Sequence, residues 1–314
     1  MVAAATVVTL SSCAQSKPGE SRNGTVPATT AATPSPAATR TGGTRSAHRP
    51  VTVVGIGDSV TAGSNCDCEA FVGLYASDLA AARGMKTASV NLGVGGSTSA
   101  DLLTSLTQPG ALRDGVAKAD ILLVTIGAND LTPLEDRQPS GCTATCYSPL
   151  VERVGHNVAL IVGAARAARP DHPPTILVTS YWNVFQDGDV GSAENGASFQ
   201  SWSDLLTRAA NEQICGGAQR AGATCVDLYE PFKGDGSRDP TSLLAPDGDH
   251  PSPMGHQLIA STLLASTPLP LPRITLRLLP LQRGTTCLRD RSTSGRPPRL
   301  GVGLPPTCGC RRPC

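Results

Sequence analysis

Four short segments hold the residues of this chain that could do chemistry. The first, Gly57-Asp58-Ser59-Val60-Thr61-Ala62-Gly63, sets a serine between two glycines. A serine on a tight turn from strand to helix can raise its hydroxyl above the sheet edge, and glycines permit the sharp turn. Its own N–H can then help to bind an oxyanion. The second, Asn91-Leu92-Gly93-Val94-Gly95-Gly96-Ser97-Thr98, offers a glycine N–H that could aim at the same point. Its glycines, at 93, 95 and 96, do not meet the G-x-G-x-x-G spacing of a dinucleotide loop. The third, Gly127-Ala128-Asn129-Asp130, adds a side-chain amide as a further donor. The fourth, Asp247-Gly248-Asp249-His250-Pro251-Ser252, places an aspartate three residues before a histidine. A carboxylate on the imidazole Nδ1 fixes the tautomer and leaves Nε2 free to face a serine. Each segment also has a plainer reading. Ser59 could be a helix N-cap, the glycines a flexible loop, Asn129 an Asx-type turn and His250 part of a solvated loop.

The elements around these segments decide between the readings. Val51–Gly57, Thr87–Leu92, Ile121–Ile126, Thr175–Ser180 and Thr224–Leu228 are short apolar runs that read as buried strands. Phe71–Arg83, Ser99–Leu106, Pro149–Arg169, Phe199–Gln213 and Pro253–Ala265 read as helices, and the fourth has spacing that could continue to Arg220. Strands alternating with helices predict a parallel sheet covered on both faces. The first three segments follow predicted strands directly, and the fourth precedes the last helix. Open α/β sheets place their active sites at the carboxyl ends of strands.

Composition narrows the function further. The formal net charge of +1 is uneven, because Thr267–Cys314 carries nine arginines, one aspartate and no lysine or glutamate. That stretch contributes +8 and leaves −7 for the rest. An acidic body lacks the basic track that a nucleic-acid enzyme needs, so no nucleic-acid partner is expected. Six of the 11 cysteines lie in close pairs, Cys66 with Cys68, Cys142 with Cys146 and Cys215 with Cys225. Such spacing fits local disulfides in an oxidising compartment. Thiolates from the first two pairs could hold zinc, but no further ligand cluster adjoins them in the sequence, and no metal is expected.

Taken together, GDSVTAG, NLGVGGST, GAND and DGDHPS resemble the four sequence blocks of the SGNH (GDSL-type) hydrolases, in that family's order. The likeness spans about residues 51–266. It implies a three-layer α/β/α sandwich with a central five-stranded, mostly parallel sheet, flavodoxin-like in arrangement. It also implies a serine esterase or lipase acting on a small-molecule ester or lipid without a cofactor. On this resemblance Ser59 is the nucleophile and His250 the general base, oriented by Asp247. The Ser59 N–H, Gly96 and the Asn129 amide form the oxyanion hole. Gly95 could replace Gly96 if the loop shifts by one, and Asp249 is a rival for Asp247. The other histidines are poorer bases. His48 lies in a linker, His156 in a helical run, His172 in a turn, and His256 on the last helix. The loop Tyr181-Trp182-Asn183-Val184-Phe185 is the densest aromatic cluster and is expected to line the site.

The cysteine pairs resemble those of secreted actinobacterial lipases of this family, which implies Cys66–Cys68, Cys142–Cys146 and Cys215–Cys225. Six cysteines allow fifteen connectivities, and a link from Cys66 or Cys68 to Cys142 or Cys146 remains open.

The first residues resemble a localisation signal. Residues 1–12 are short and apolar and resemble part of a secretory signal. Leu10-Ser11-Ser12-Cys13 looks like a bacterial lipobox, which makes Cys13 a lipidation candidate. Residues 13–50, rich in Ser, Thr, Pro, Ala and Gly, read as a disordered linker. Residues 267–314 read as a disordered basic tail. The expectation is a secreted or membrane-anchored monomer. A carbohydrate acetyl esterase and an inactive cell-surface binding protein stand as alternatives.

Overall fold

The computed structural model describes residues 49–135 and 142–268. The expected signal segment, Cys13, the linker up to residue 48 and the tail beyond 268 lie outside the described residues.

Five strands form one sheet: β1 (Val51–Gly57), β2 (Thr87–Gly93), β3 (Ile121–Thr125), β4 (Thr175–Thr179) and β5 (Thr224–Val226). All pairs are parallel, in the order β2-β1-β3-β4-β5. Among the described residues, eight helices accompany them: α1 (Ser59–Ala62), α2 (Phe71–Arg83), α3 (Ser99–Thr107), α4 (Ala111–Val116), α5 (Ala144–Ala167), α6 (Gly188–Arg220), α7 (Tyr229–Lys233) and α8 (Pro253–Ala265). The chain steps from β1 outward to β2, then back across β1 to β3. Right-handed crossovers turn that reversal into helices on opposite faces. Accordingly α2 packs with α8, while α5 packs with α3 and α6. Covered on both faces, β3 is buried at every residue, which is why its sequence is a continuous apolar run.

The reversal of direction between β1 and β3 opens a crevice at their carboxyl ends, the usual ligand position in such sheets. Register keeps that edge level, since Gly57 pairs with both Gly93 and Thr125. Gly57 has φ 139, and a Cβ there would overlap the Thr125 carbonyl oxygen at 1.9 Å. No larger residue could make this close turn into the serine segment.

Three elements differ from their expected bounds by two residues or more. Helix α5 starts at Ala144, not Pro149, so the proline lies inside the helix. Proline commonly marks a first helical position, which placed the expected start too late. Here the Cys142–Cys146 bridge and a Ser148 Oγ bond to the Ala144 carbonyl at 2.7 Å hold an extra turn ahead of it. Helix α6 begins at Gly188, capped by Asp187, and breaks at Gly196 with φ 77. Its first turns, Gly188 to Gly196, carry three glycines and no apolar stripe, so they give no periodic signal. Strand β5 stops at Val226 instead of Leu228. Ser180 Oγ donates to Asp227 at 3.0 Å and accepts from the Leu228 N–H at 2.7 Å, replacing the ladder there.

Residues on either side of the expected domain join it. Arg49 makes a two-pronged bond to Asp120 at 2.6 and 2.7 Å, and Thr267 Oγ1 meets the Tyr75 hydroxyl at 2.8 Å. Among the described residues, no helix is long and apolar enough to cross a membrane.

Candidate active site

Ser59 is the first residue of α1, directly beyond β1. Asp58 caps that helix, its Oδ1 accepting from the Val60 N–H at 3.0 Å. Gly63, with φ 78, closes it after a single turn. The Asp58 carboxyl is 1% exposed and accepts a hydrogen bond from the Tyr181 hydroxyl at the end of β4. Burial pushes its pKa up to about 7, although the bonds from Tyr181 and the backbone pull the other way. Ser59 thus rides on a rigid, buried support.

The second segment turns back toward it. The Val94 N–H donates to the Gly57 carbonyl at 2.9 Å, and the Ser97 N–H to the Val94 carbonyl at 3.2 Å. Gly96 supplies the positive φ of 78 that this turn requires. A Cβ on Gly95 would lie 3.9 Å from the Ser59 Cβ, whereas one on Gly96 would have nothing within 4 Å. Gly95 thus packs against the loop of Ser59 and Ser64, 3.5 Å from Ser64 Oγ by the same measure, and Gly96 supplies the turn. Asn129 follows β3, and its Nδ2 donates to the Ser97 carbonyl at 3.0 Å. That bond uses one amide hydrogen and leaves the second for a ligand. Asp130 anchors the start of α3, accepting from the Ser99 N–H at 2.7 Å and its hydroxyl at 2.6 Å.

His250 sits on a turn closed by the Ala245 N–H to the His250 carbonyl at 2.7 Å. Asp247 Oδ2 meets His250 Nδ1 at 2.7 Å, while Asp249 stands 3.8 Å from the same nitrogen. Asp247 Oδ1 accepts from the N–H groups of Asp249 and His250, both at 3.0 Å. Burial opposes ionisation of Asp247, but these bonds, with Asn65 and the imidazole, outweigh it and hold the carboxyl below the ordinary range. Asp249 goes the other way. Burial raises its carboxyl, and Asp247 and Glu135 add to the rise against the opposing pull of His250. A carboxylate on Nδ1 favours the tautomer with Nε2 unprotonated, the form that can accept a proton.

Ser59, Asn129 and His250 line one pocket of about 100 Å³, with Asp58, Tyr181 and Phe185 also in its wall. The loop Tyr181–Phe185 borders it, as expected. Its rings are mostly packed inward, Trp182 against Phe232 at 4.4 Å and Phe185 against Trp202 at 6.0 Å between centroids. Asn183 braces the loop. Its Oδ1 accepts from the Val184 N–H at 2.8 Å and from Thr207 at 3.0 Å, and its Nδ2 donates to Asp187 at 3.0 Å. Asp187 is in turn paired with the buried Lys233 at 2.6 Å.

Two participants carried no sequence signal of their role. Tyr181 was legible only as an aromatic, not as the partner of Asp58. Asn65, at φ 57, donates its Nδ2 to Asp247 Oδ2 at 2.5 Å and lies 3.3 Å from His250 Nδ1. Its preference for left-handed backbone is a weak hint, and nothing local points to a partner 182 residues away.

Cysteines pair locally as Cys66–Cys68, Cys142–Cys146 and Cys215–Cys225. The sulfurs of the first pair and a ring nitrogen of His256 all lie within 4.8 Å of one another, but the two sulfurs are bonded together. His256 itself is fully buried and its Nδ1 accepts from the Phe71 N–H at 3.3 Å. Burial depresses its pKa to about 4, with a smaller contribution from His250.

Residues 56–258 match the family described as GDSL-like Lipase/Acylhydrolase. Among solved structures, the chain is similar to the lipase Lip_vut3 from a goat rumen metagenome. The identity is 18% and the TM-score 0.57, over 69% of this chain and 97% of that one. It is also similar to Axe2, an acetylxylan esterase from Geobacillus stearothermophilus, at 19% identity and a TM-score of 0.47, over 68% and 93% of the two chains. No curated protein matches the chain.

Proposed function

Because the chain belongs to the GDSL-like lipase/acylhydrolase family, we propose that it is a serine esterase that hydrolyses carboxylic esters through an acyl-enzyme on Ser59. The observation that carries this reading is one pocket lined by both Ser59 and a His250 whose Nδ1 is held by Asp247 at 2.7 Å. His250 Nε2 takes the hydroxyl proton as Ser59 Oγ attacks the ester carbonyl. The oxyanion is met by the N–H of Ser59, by an N–H from the Gly95–Gly96 turn and by the Asn129 amide. His250 then gives its proton to the leaving alcohol oxygen as the C–O bond breaks. Water, deprotonated by the same nitrogen, attacks the acyl carbon; as the bond to Ser59 Oγ breaks, His250 returns the proton to Oγ and the acid leaves.

The pocket favours a small acyl group. Its volume of about 100 Å³ falls below the ~300–1,000 Å³ usual for drug-sized ligands. This supports esters of short acids, such as acetyl groups on a larger alcohol, over long-chain lipids. Ser59→Ala and His250→Ala should each abolish turnover of p-nitrophenyl acetate while circular dichroism stays unchanged. Near-normal turnover by either variant would refute the reading. A p-nitrophenyl series from acetate to palmitate should show kcat/KM falling with chain length. A maximum at palmitate would instead make the protein a lipase.

Three local disulfides support an extracytoplasmic site of action. Anchoring through a lipidated Cys13 belongs to the same proposal.

A further inference from the structure

Asn65 is six residues beyond Ser59, on the loop leaving α1, while Asp247 and His250 belong to the turn before α8. One hydrogen bond joins the two, from Asn65 Nδ2 to Asp247 Oδ2 at 2.5 Å. The same oxygen meets His250 Nδ1 at 2.7 Å. Two donors thus converge on one carboxylate oxygen, while the Asp249 and His250 N–H groups hold the other. With all four bonds in place, the carboxylate cannot rotate away from the imidazole without losing donors on both oxygens.

Asn65 is also the one non-glycine residue with positive φ among the described residues, at 57. Glycine would hold that backbone with less strain, so the turn alone does not call for asparagine. The loop is fixed immediately afterwards by the Cys66–Cys68 bridge. Asn65 and Asp247 together form one wall of a second, open cleft that also reaches Cys66, Asp67, Leu244 and Pro253. The amide therefore takes a place at Asp247 that solvent from this cleft would otherwise fill.

We propose that Asn65 is a positioning residue for catalysis. Its amide locks the Asp247–His250 pair and ties it to the loop that follows the helix carrying Ser59. This rests on the esterase reading. The amide also draws charge from Asp247 and so tempers the pull of that carboxylate on the imidazolium.

The test compares Asn65→Gly, which keeps the left-handed backbone, with Asn65→Asp, which keeps the size but turns the donor into an acceptor beside Asp247 Oδ2. Kinetics on p-nitrophenyl acetate are measured from pH 5 to 9. Asn65→Gly should lose about three- to tenfold in kcat with KM nearly unchanged, and its acidic limb of kcat/KM should rise by a few tenths of a pH unit. Asn65→Asp should lose more kcat than Asn65→Gly, because two carboxylates in contact repel and displace Asp247 from the imidazole. A purely structural role for Asn65 would leave the limb where it is. Wild-type kcat and limb in Asn65→Gly, beside an inactive Ser59→Ala, overturn this proposal and leave the esterase reading standing. An active Ser59→Ala overturns the esterase reading first.

Discussion

Two aspartates stand behind the two halves of the candidate dyad, and they differ in how they hold charge. Asp58, behind Ser59, is buried at 1% exposure with backbone donors at Val60 and Thr61 and one phenolic donor, and its carboxyl is pushed up to about 7. Asp247, behind His250, keeps 29% of its side chain exposed and receives four donors, and its carboxyl is held below the ordinary range. Desolvation dominates the first and hydrogen bonding the second. The division suits their positions. An N-cap oxygen can accept from the Val60 N–H whether or not the group is ionised, so Asp58 needs no charge. A carboxylate proposed to stabilise an imidazolium does need one, and the bonds on Asp247 favour its charged form.

The largest effect expected from breaking this contrast falls on Asp247. Asp247→Ala should lower kcat on the order of 10³-fold, less than for a fully buried triad aspartate because of its exposure. Asp249→Ala, 3.8 Å from Nδ1, should stay within about threefold. Equal losses in the two variants would remove the distinction between these neighbours.

The next effect concerns stability and pH. The folded pKa of Asp58, about 7, lies above the ordinary value of 3.8. The folded state therefore binds the extra proton between these values, and its stability falls as pH rises from about 4 to about 7. An asparagine in place of Asp58 could still cap α1 but cannot ionise. Asp58→Asn should match the wild type in urea unfolding near pH 4 and gain roughly 3 kcal/mol on it by pH 8. Parallel stability profiles for the two proteins would show that Asp58 does not titrate in this range.

The smallest effect sharpens the same pair. Tyr181→Phe removes the phenolic donor to Asp58 and should cost about 1–2 kcal/mol in urea unfolding. Because that donor lowers the carboxyl pKa, its loss should move the pH-dependent decline of the wild type further upward. An unmoved decline would mean that Tyr181 packs against Asp58 without tuning it.

Much of the fold was legible because it is written locally. Apolar runs of strand length marked all five strands, and α2, α3 and α8 were read within one residue of their observed bounds. The errors fell where local signals mislead. Pro149 looked like a helix start, and the glycine-rich first turns of α6 hid a helix that tertiary packing stabilises. The candidate site was legible as four segments because three follow strand ends directly and the fourth lies on the turn before α8.

By itself the sequence determined the alternation that builds a parallel sheet, the order of the four segments and the set of residue types available for acyl transfer. Only the tertiary structure decided which aspartate reaches Nδ1, how six cysteines pair and that Asn65 reaches Asp247. The physical reason is range. Periodicity and capping act over a few residues along the chain, whereas a bond such as Asn65 to Asp247 joins positions 182 apart and exists only once the sheet has brought two loops to one edge.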